Sequence, residues 1–449
     1  MWFYMPDPQS ITYSYLIRKA WPIILANASV PLLGLVDTAV IGNIGSVEDL
    51  GAIAFGALIF SFVYWSFGFL RMGTTGFTAQ AAGAGDVTEV RAVLGRALLM
   101  SVSLGILLIF LQWPIRLIAF SLLGGTESVE ILASDYFQIR IWGAPATLTN
   151  FALMGLLVGL GLSKSLLLVQ LFLNTLNILL DVWFAAILEL GVAGIALGTV
   201  LAEWMTVFLA GWLIFRKLQQ SKLPTTPFWP KVRILDKSML MKTLSANADI
   251  MIRTLLLVFS FAFFVNQSAR FGDVLLAANH ILLQLISFAA FFLDGYAFVV
   301  EALTGSAIGA KQLSRFDLAV RRSTVLALVT AIGLAAVTWF WGEAAIGLLT
   351  DLTEVRLAAG SMLIFAAGYI ICSFAAFQLD GVFIGASFTR EMRNAAILSL
   401  LIFLLAWWFL ERNFGINGLW WAMIIYVIAR AGALLMYFPL LRHSISSVN

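Results

Sequence analysis

Long apolar runs, punctuated by glycine, proline and charge, dominate the chain. A helix needs roughly 20 apolar residues to cross a hydrocarbon layer, and on that scale the pattern predicts twelve spans. Six run near 15–43, 50–81, 92–120, 131–160, 165–187 and 191–215. A polar connection at 216–237 separates them from six more near 239–269, 274–309, 319–341, 356–386, 394–410 and 416–440. The expected organisation is an N-terminal six-helix lobe (1–217), a cytoplasmic linker (218–237) and a C-terminal six-helix lobe (238–449).

Charge tests the alternation, because Lys and Arg in short loops are retained on the cytoplasmic side. With both termini and the even-numbered loops inside, that side carries 18 basic residues, Lys222 of the linker among them; the other carries 4, Arg116, Arg270, Arg356 and Arg412. One missed helix would scramble that split. The expected location is therefore a bacterial-type inner membrane, crossed many times, with both termini cytoplasmic. Residues 1–10 offer neither a basic nor an apolar region of a cleavable signal.

Composition agrees. The chain is 61% apolar and 11% charged, with a mean hydropathy of +0.97; a soluble domain carries about 25% charge. Cys372 alone excludes a disulfide scaffold, and with only His280 and His443 there is no HExxH pattern for a metal-dependent enzyme. No enzyme activity, cofactor or resident metal is expected. The net charge of +3 reflects basic loops on one side, not a nucleic-acid surface.

A shift of 226 residues sets Thr78, Ala81, Gly83, Ala84 and Arg96 on Thr304, Ala307, Gly309, Ala310 and Arg322, and Gly155, Gly159 and Lys164 on Gly381, Gly385 and Arg390. A shift of 224 sets Gly191 and Gly194 on Gly415 and Gly418. Two six-helix halves in tandem explain these offsets, and because six is even they enter from the same side. The predicted fold class is all-α: two six-helix bundles related by a pseudo-two-fold axis along the membrane normal, meeting at a cleft that opens to either side.

Seven acids lie within the spans: Asp37, Asp181, Glu203, Asp249, Asp294, Glu301 and Asp380. An ionised carboxylate at a helix centre costs about 2.5–3.5 kcal/mol on insertion scales, so each should face a cavity, a partner or a proton. Asn174, Asn177 and Asp181 share one face of span 5, Thr199 and Glu203 are four apart on span 6, and Asn150 and Asp37 can join them. Two adjacent carboxylates in a low-dielectric pocket cannot both stay ionised cheaply, so one holds a proton; alternatively, their oxygens replace part of the water shell of Na⁺. Glu203, beside Trp204, is expected near the membrane interface. In the second half, Asp249 and Arg253 are four apart and predict an ion pair, while Asp294 and Glu301 share a face of span 8. With Asp380 they form a candidate polar or substrate site. Arg71 and Arg140 are given no role. Pro31, six residues before Asp37, permits a bend in the first span.

The strings Val30-Pro31-Leu32-Leu33-Gly34-Leu35-Val36-Asp37-Thr38-Ala39-Val40-Ile41-Gly42, Phe69-Leu70-Arg71-Met72-Gly73-Thr74-Thr75-Gly76, Asp249-Ile250-Met251-Ile252-Arg253-Thr254 and Leu379-Asp380-Gly381-Val382-Phe383-Ile384-Gly385-Ala386 resemble the multidrug and toxic compound extrusion (MATE) family, in its DinF-like branch. The resemblance covers nearly the whole chain. It implies twelve helices in two lobes and export of organic, often cationic amphiphiles against H⁺, with Na⁺ as the alternative ion. Carried over, the family's first-lobe cation site falls on Asp37, Asn177, Asp181 and Thr199, with Asn150 nearby; its second-lobe carboxylate falls on Asp380, and its span-7 acid has a partial counterpart in Asp249. The expected partners are drug-like substrates and the bilayer, with the protein a monomer. A runner-up function, flipping a lipid-linked precursor, calls for several basic residues in the cleft, whereas the spans offer mainly acids plus Arg253.

Overall fold

The computed structural model describes residues 11–124, 126–220 and 227–446. Residues 1–10, where a signal peptide was not expected, and Lys222 with linker positions 221–226 lie outside the described residues. Among the described residues, ten helices are long and apolar enough to cross a membrane. Two features bring these to twelve spans. The first span is split into Tyr13–Ala28 and Val30–Ile44, each too short to count alone, and the last two form one stretch, Thr389–Ser446, turned at Gly415.

Several spans are interrupted where the sequence removes or redirects a backbone hydrogen bond. Span 1 breaks at Ser29, because Pro31 has no N–H to offer the preceding turn. Span 2 consists of Val47–Trp65 and Phe69–Gly83, and span 4 of Glu127–Arg140 and Ala144–Gly159, joined by a tight turn at Ile141–Gly143 ahead of Pro145. Span 5, Ser163–Asp181, widens into π-helical bonding over Val182–Ile187 immediately after its last carboxylate.

The duplication read from spacing reappears as geometry. A Cβ at Gly155 would lie 2.3 Å from the Arg71 carbonyl oxygen and one at Gly159 would lie 2.7 Å from that of Thr75; at Gly381 and Gly385 the obstacles are the carbonyl oxygens of Ala297 and Glu301, at 2.4 and 2.3 Å. Glycine and obstacle are both displaced by 226 residues. Span 4 therefore packs on span 2 as span 10 packs on span 8, with backbones in direct contact through small residues. The left-handed turns repeat as well: Gly85 and Lys311, Gly161 and Ser387, and Gly191 and Gly415 all have positive φ.

The lobes touch mainly at one end. Contacts between them come chiefly from Tyr13–Ala28, Phe69–Gly83 and Ala144–Gly159, whereas Val47–Trp65 and Glu127–Arg140 pack on each other inside the first lobe. At the end flanked by the basic loops, Gly83 meets the Ser306 carbonyl, Gly309 that of Gln80 and Gly76 that of Ile384, and Gln80 Nε2 donates to Gly385 O (2.9 Å) and Ser387 Oγ (3.0 Å). Halfway along the spans, above this seal, a cavity of about 410 Å³ lies between the lobes.

Candidate functional site

Two polar centres result. The first is enclosed within the N-terminal lobe. Asp181 and Asn177, four residues apart on span 5, are both fully buried, and Asp37 from the second half of the broken first span approaches the same spot. Asn177 donates to Thr199 Oγ1 at 3.1 Å, and that hydroxyl donates to Ile195 O at 3.0 Å. Among the described residues neither carboxylate oxygen of Asp181 has a donor, and Asp37 Oδ1, Asn177 Oδ1 and Asn150 Oδ1 are likewise buried and unpartnered. Span 6 can approach this closely because residue 198 is glycine; a Cβ there would lie 2.3 Å from Asp181 Oδ1. Just before this group, the Asn174 amide donates to the carbonyl (3.0 Å) and hydroxyl (2.8 Å) of Ser29, tying span 5 to the break in span 1.

Glu203 belongs to this lobe but not to its unpaired group. It is buried, and Arg140 holds it with two hydrogen bonds of 2.8 and 2.6 Å, while Thr147 adds a third at 2.7 Å. Asn150 donates to the Glu203 carbonyl at 3.0 Å. Arg140, given no role from sequence, is thus the counter-charge of a buried acid and also lies over the Phe60 and Tyr64 rings, 5.3 Å from each centroid. No spacing rule could pair it with Glu203, 63 residues away on another span.

The second centre is the cavity between the lobes. Arg253 and Arg430 (2.6 Å) both donate to Asp380 Oδ2, and Arg71 bonds Glu301 at 3.4 Å while its guanidinium covers the Phe298 ring at 3.9 Å. Asp294 lines the same cavity, which is otherwise walled by aromatic side chains such as Tyr64, Phe151 and Phe377. Two expectations are corrected here. Arg253 does not pair with Asp249 four residues away: it turns to Asp380, and Asp249 is taken by Arg393 (2.6 Å) and Thr389 (3.2 Å) at the start of span 11. Asp249 therefore stands outside the cavity, since Arg393 draws its carboxylate toward the basic end. Nor is the cleft mainly acidic, because Arg71, Arg253 and Arg430 face Asp294, Glu301 and Asp380.

A lobe with unpaired carboxylates beside a charged cavity, built on a duplicated six-helix unit, is a transporter's anatomy. The family model described as MatE matches twice, over residues 22–183 and 250–409, once in each lobe. The chain belongs to the MatE family of transporters. Among curated relatives, it is 37% identical over 428 residues to the DNA damage-inducible protein F of Escherichia coli K12, spanning 92% of this chain and 88% of that one. It is 24% identical to the probable multidrug resistance protein NorM of Acinetobacter baylyi, over 79% of each chain. Among solved MatE-family structures, the Vibrio cholerae MATE transporter VcmN in its bent form superposes with a TM-score of 0.86 at 20% identity, covering 96% of this chain and 97% of that one. An outward-facing multidrug resistance MATE family transporter superposes with a TM-score of 0.83 at 19% identity, covering 99% and 97%. These likenesses establish the two-lobed fold of twelve helices.

Proposed function

We propose that this MatE-family member is a secondary exporter that antiports organic, often cationic amphiphiles against H⁺, with Asp37 and Asp181 as the proton-carrying groups. One observation carries the reading. Glu203, Asp249, Glu301 and Asp380 each have an arginine partner, whereas Asp181 is buried beside Asp37 with no donor on either oxygen among the described residues. Arg140, the cation acting on both, is already committed to Glu203. A carboxyl pair in that setting shares a proton instead of carrying two charges. Taking up and losing that proton changes the charge beside the break in span 1, which lets the ion bias the lobes between two states.

The unpartnered oxygens of Asp37, Asn177, Asp181 and Asn150, with the Thr199 hydroxyl, would also suit Na⁺, the alternative coupling ion. The alternative cargo, a lipid-linked precursor, is disfavoured because its phosphates call for a basic cleft, whereas the three cavity arginines are balanced by three carboxylates. The test is efflux of a fluorescent cation from proteoliposomes under an imposed pH gradient, with Na⁺ absent and then present. Asp37→Asn and Asp181→Asn should each abolish gradient-driven transport while leaving dye binding. Full pH-driven transport by either variant overturns the mechanism, and transport driven by Na⁺ alone reassigns the ion.

A further inference from the structure

Resting on the export reading, we infer that the inter-lobe cavity selects zwitterionic amphiphiles, with the anionic group of the cargo held by Arg253 and Arg430 and its cationic group by Asp294. The formal charges balance, three arginines against three carboxylates, but they are unevenly distributed. Arg71 and Glu301 neutralise each other. Arg253 and Arg430 share the single carboxylate of Asp380, through one oxygen, so that wall carries an excess positive charge and guanidinium N–H donors left over. Among the described residues Asp294 makes no hydrogen bond or salt bridge; it lies within the field of Arg71, Arg253 and Arg430 and supplies the balancing negative charge. The guanidinium pair thus has donors to spare, and the Asp294 carboxylate has no bonded cation.

A simple organic cation finds Asp294 but must sit beside the surplus guanidinium, and a simple anion meets the reverse penalty. A molecule carrying both charges satisfies both groups, and complementarity of this kind discriminates as much by repelling the wrong charge as by attracting the right one. About 410 Å³ bounded by aromatic rings accommodates a drug-sized body of this type.

Rhodamine 19 and its ethyl ester rhodamine 6G share one cationic ring system and differ in a carboxylate that is free in the first and esterified in the second. Their binding to the purified full-length protein in detergent, followed by fluorescence polarisation, should favour the free acid by about tenfold. Arg430→Gln should abolish that preference, the free acid losing about tenfold in affinity relative to rhodamine 6G. Asp380→Asn, which frees both guanidiniums without removing either, should widen the preference and serves if Arg430→Gln does not fold. Asp294→Asn should weaken both dyes. Equal or tighter binding of rhodamine 6G by the native protein overturns the inference, as does an unchanged preference in Arg430→Gln. Displacement of rhodamine 19 but not rhodamine 6G by phosphatidylglycerol would also overturn it, by assigning the arginines to a lipid phosphate. Failure to bind either dye overturns the multidrug reading itself, whereas pH-driven export of rhodamine 6G without any preference leaves that reading standing and removes only this one.

Discussion

Glycine at position 309 closes one end of the molecule, and adding a single methyl group there should move the balance between lobe arrangements. A Cβ on Gly309 would lie 1.9 Å from the Gln80 carbonyl oxygen and 3.0 Å from the Ala84 nitrogen, both backbone atoms of the other lobe. Backbone cannot swing aside as a flexible side chain can, so spans 2 and 8 must part by about 1 Å to restore normal contact. Forcing an extra carbon into a packed contact costs about 1–3 kcal/mol. If that penalty falls only on the arrangement closed at the basic end, Gly309→Ala shifts the population toward the opposite arrangement by about 5–150-fold. Gly155→Ala provides the contrast, since its obstacle, the Arg71 carbonyl at 2.3 Å, belongs to the same lobe. That substitution should lower Tm without biasing the lobes. Spin labels on Lys164→Cys and Arg390→Cys, exposed positions related by the internal repeat, in a Cys372→Ser background, report the separation of the basic ends by pulsed dipolar spectroscopy. Gly309→Ala should add a longer-distance population and Gly155→Ala should not. A folded Gly309→Ala protein with the native distance distribution would refute the reasoning.

Two further outcomes follow from the ion pairs. Arg140→Gln strands the buried Glu203 carboxylate with Thr147 as its remaining side-chain donor and should cost about 3–5 kcal/mol, read as a fall in Tm in detergent, with most of the loss recovered by adding Glu203→Gln; equal melting of all three proteins would show the pair to be dispensable. Asp86, in the loop between spans 2 and 3, is partly buried, which opposes ionisation, but Arg233 of the linker (2.6 Å) and the Glu89 backbone N–H (2.9 Å) hold its carboxyl below the usual range. Its contribution is therefore present above the unfolded value of about 3.9 and is lost as pH falls through the lower folded value. Both side chains are substantially exposed, so the contribution is at most about 1 kcal/mol. Hydrogen-exchange protection around Lys231–Ile234 should drop in Asp86→Asn at neutral pH and converge with that of the native protein in acid; identical protection at neutral pH would show that the linker is held by other contacts, such as Ile234 against Gly95.

Hydrophobic runs and their punctuation sufficed to count the spans, because a bilayer fixes helix length and each crossing must be apolar along most of it. The internal repeat was legible for a similar reason: Gly155 and Gly159, like Gly381 and Gly385, sit where a neighbouring backbone leaves no room for a Cβ, so chemistry fixes the residue type at both copies. The face of Asn177 and Asp181 was also within reach, since 3.6-residue periodicity relates positions on one helix. Partners between helices were not. Arg253 stands four residues from Asp249, where a local rule joins them, yet Asp380, 127 residues away, takes it, and Arg393 takes Asp249 from 144 residues away. Arg140 with Glu203, Arg71 with Glu301 and Arg430 with Asp380 are equally remote in sequence. An intramembrane charge binds whichever opposite charge the helix packing brings within reach, because no water is available as a substitute. Sequence therefore determined which side chains needed partners, and only the tertiary structure decided which acquired them and which, at Asp37, Asp181 and Asp294, have no bonded cation among the described residues.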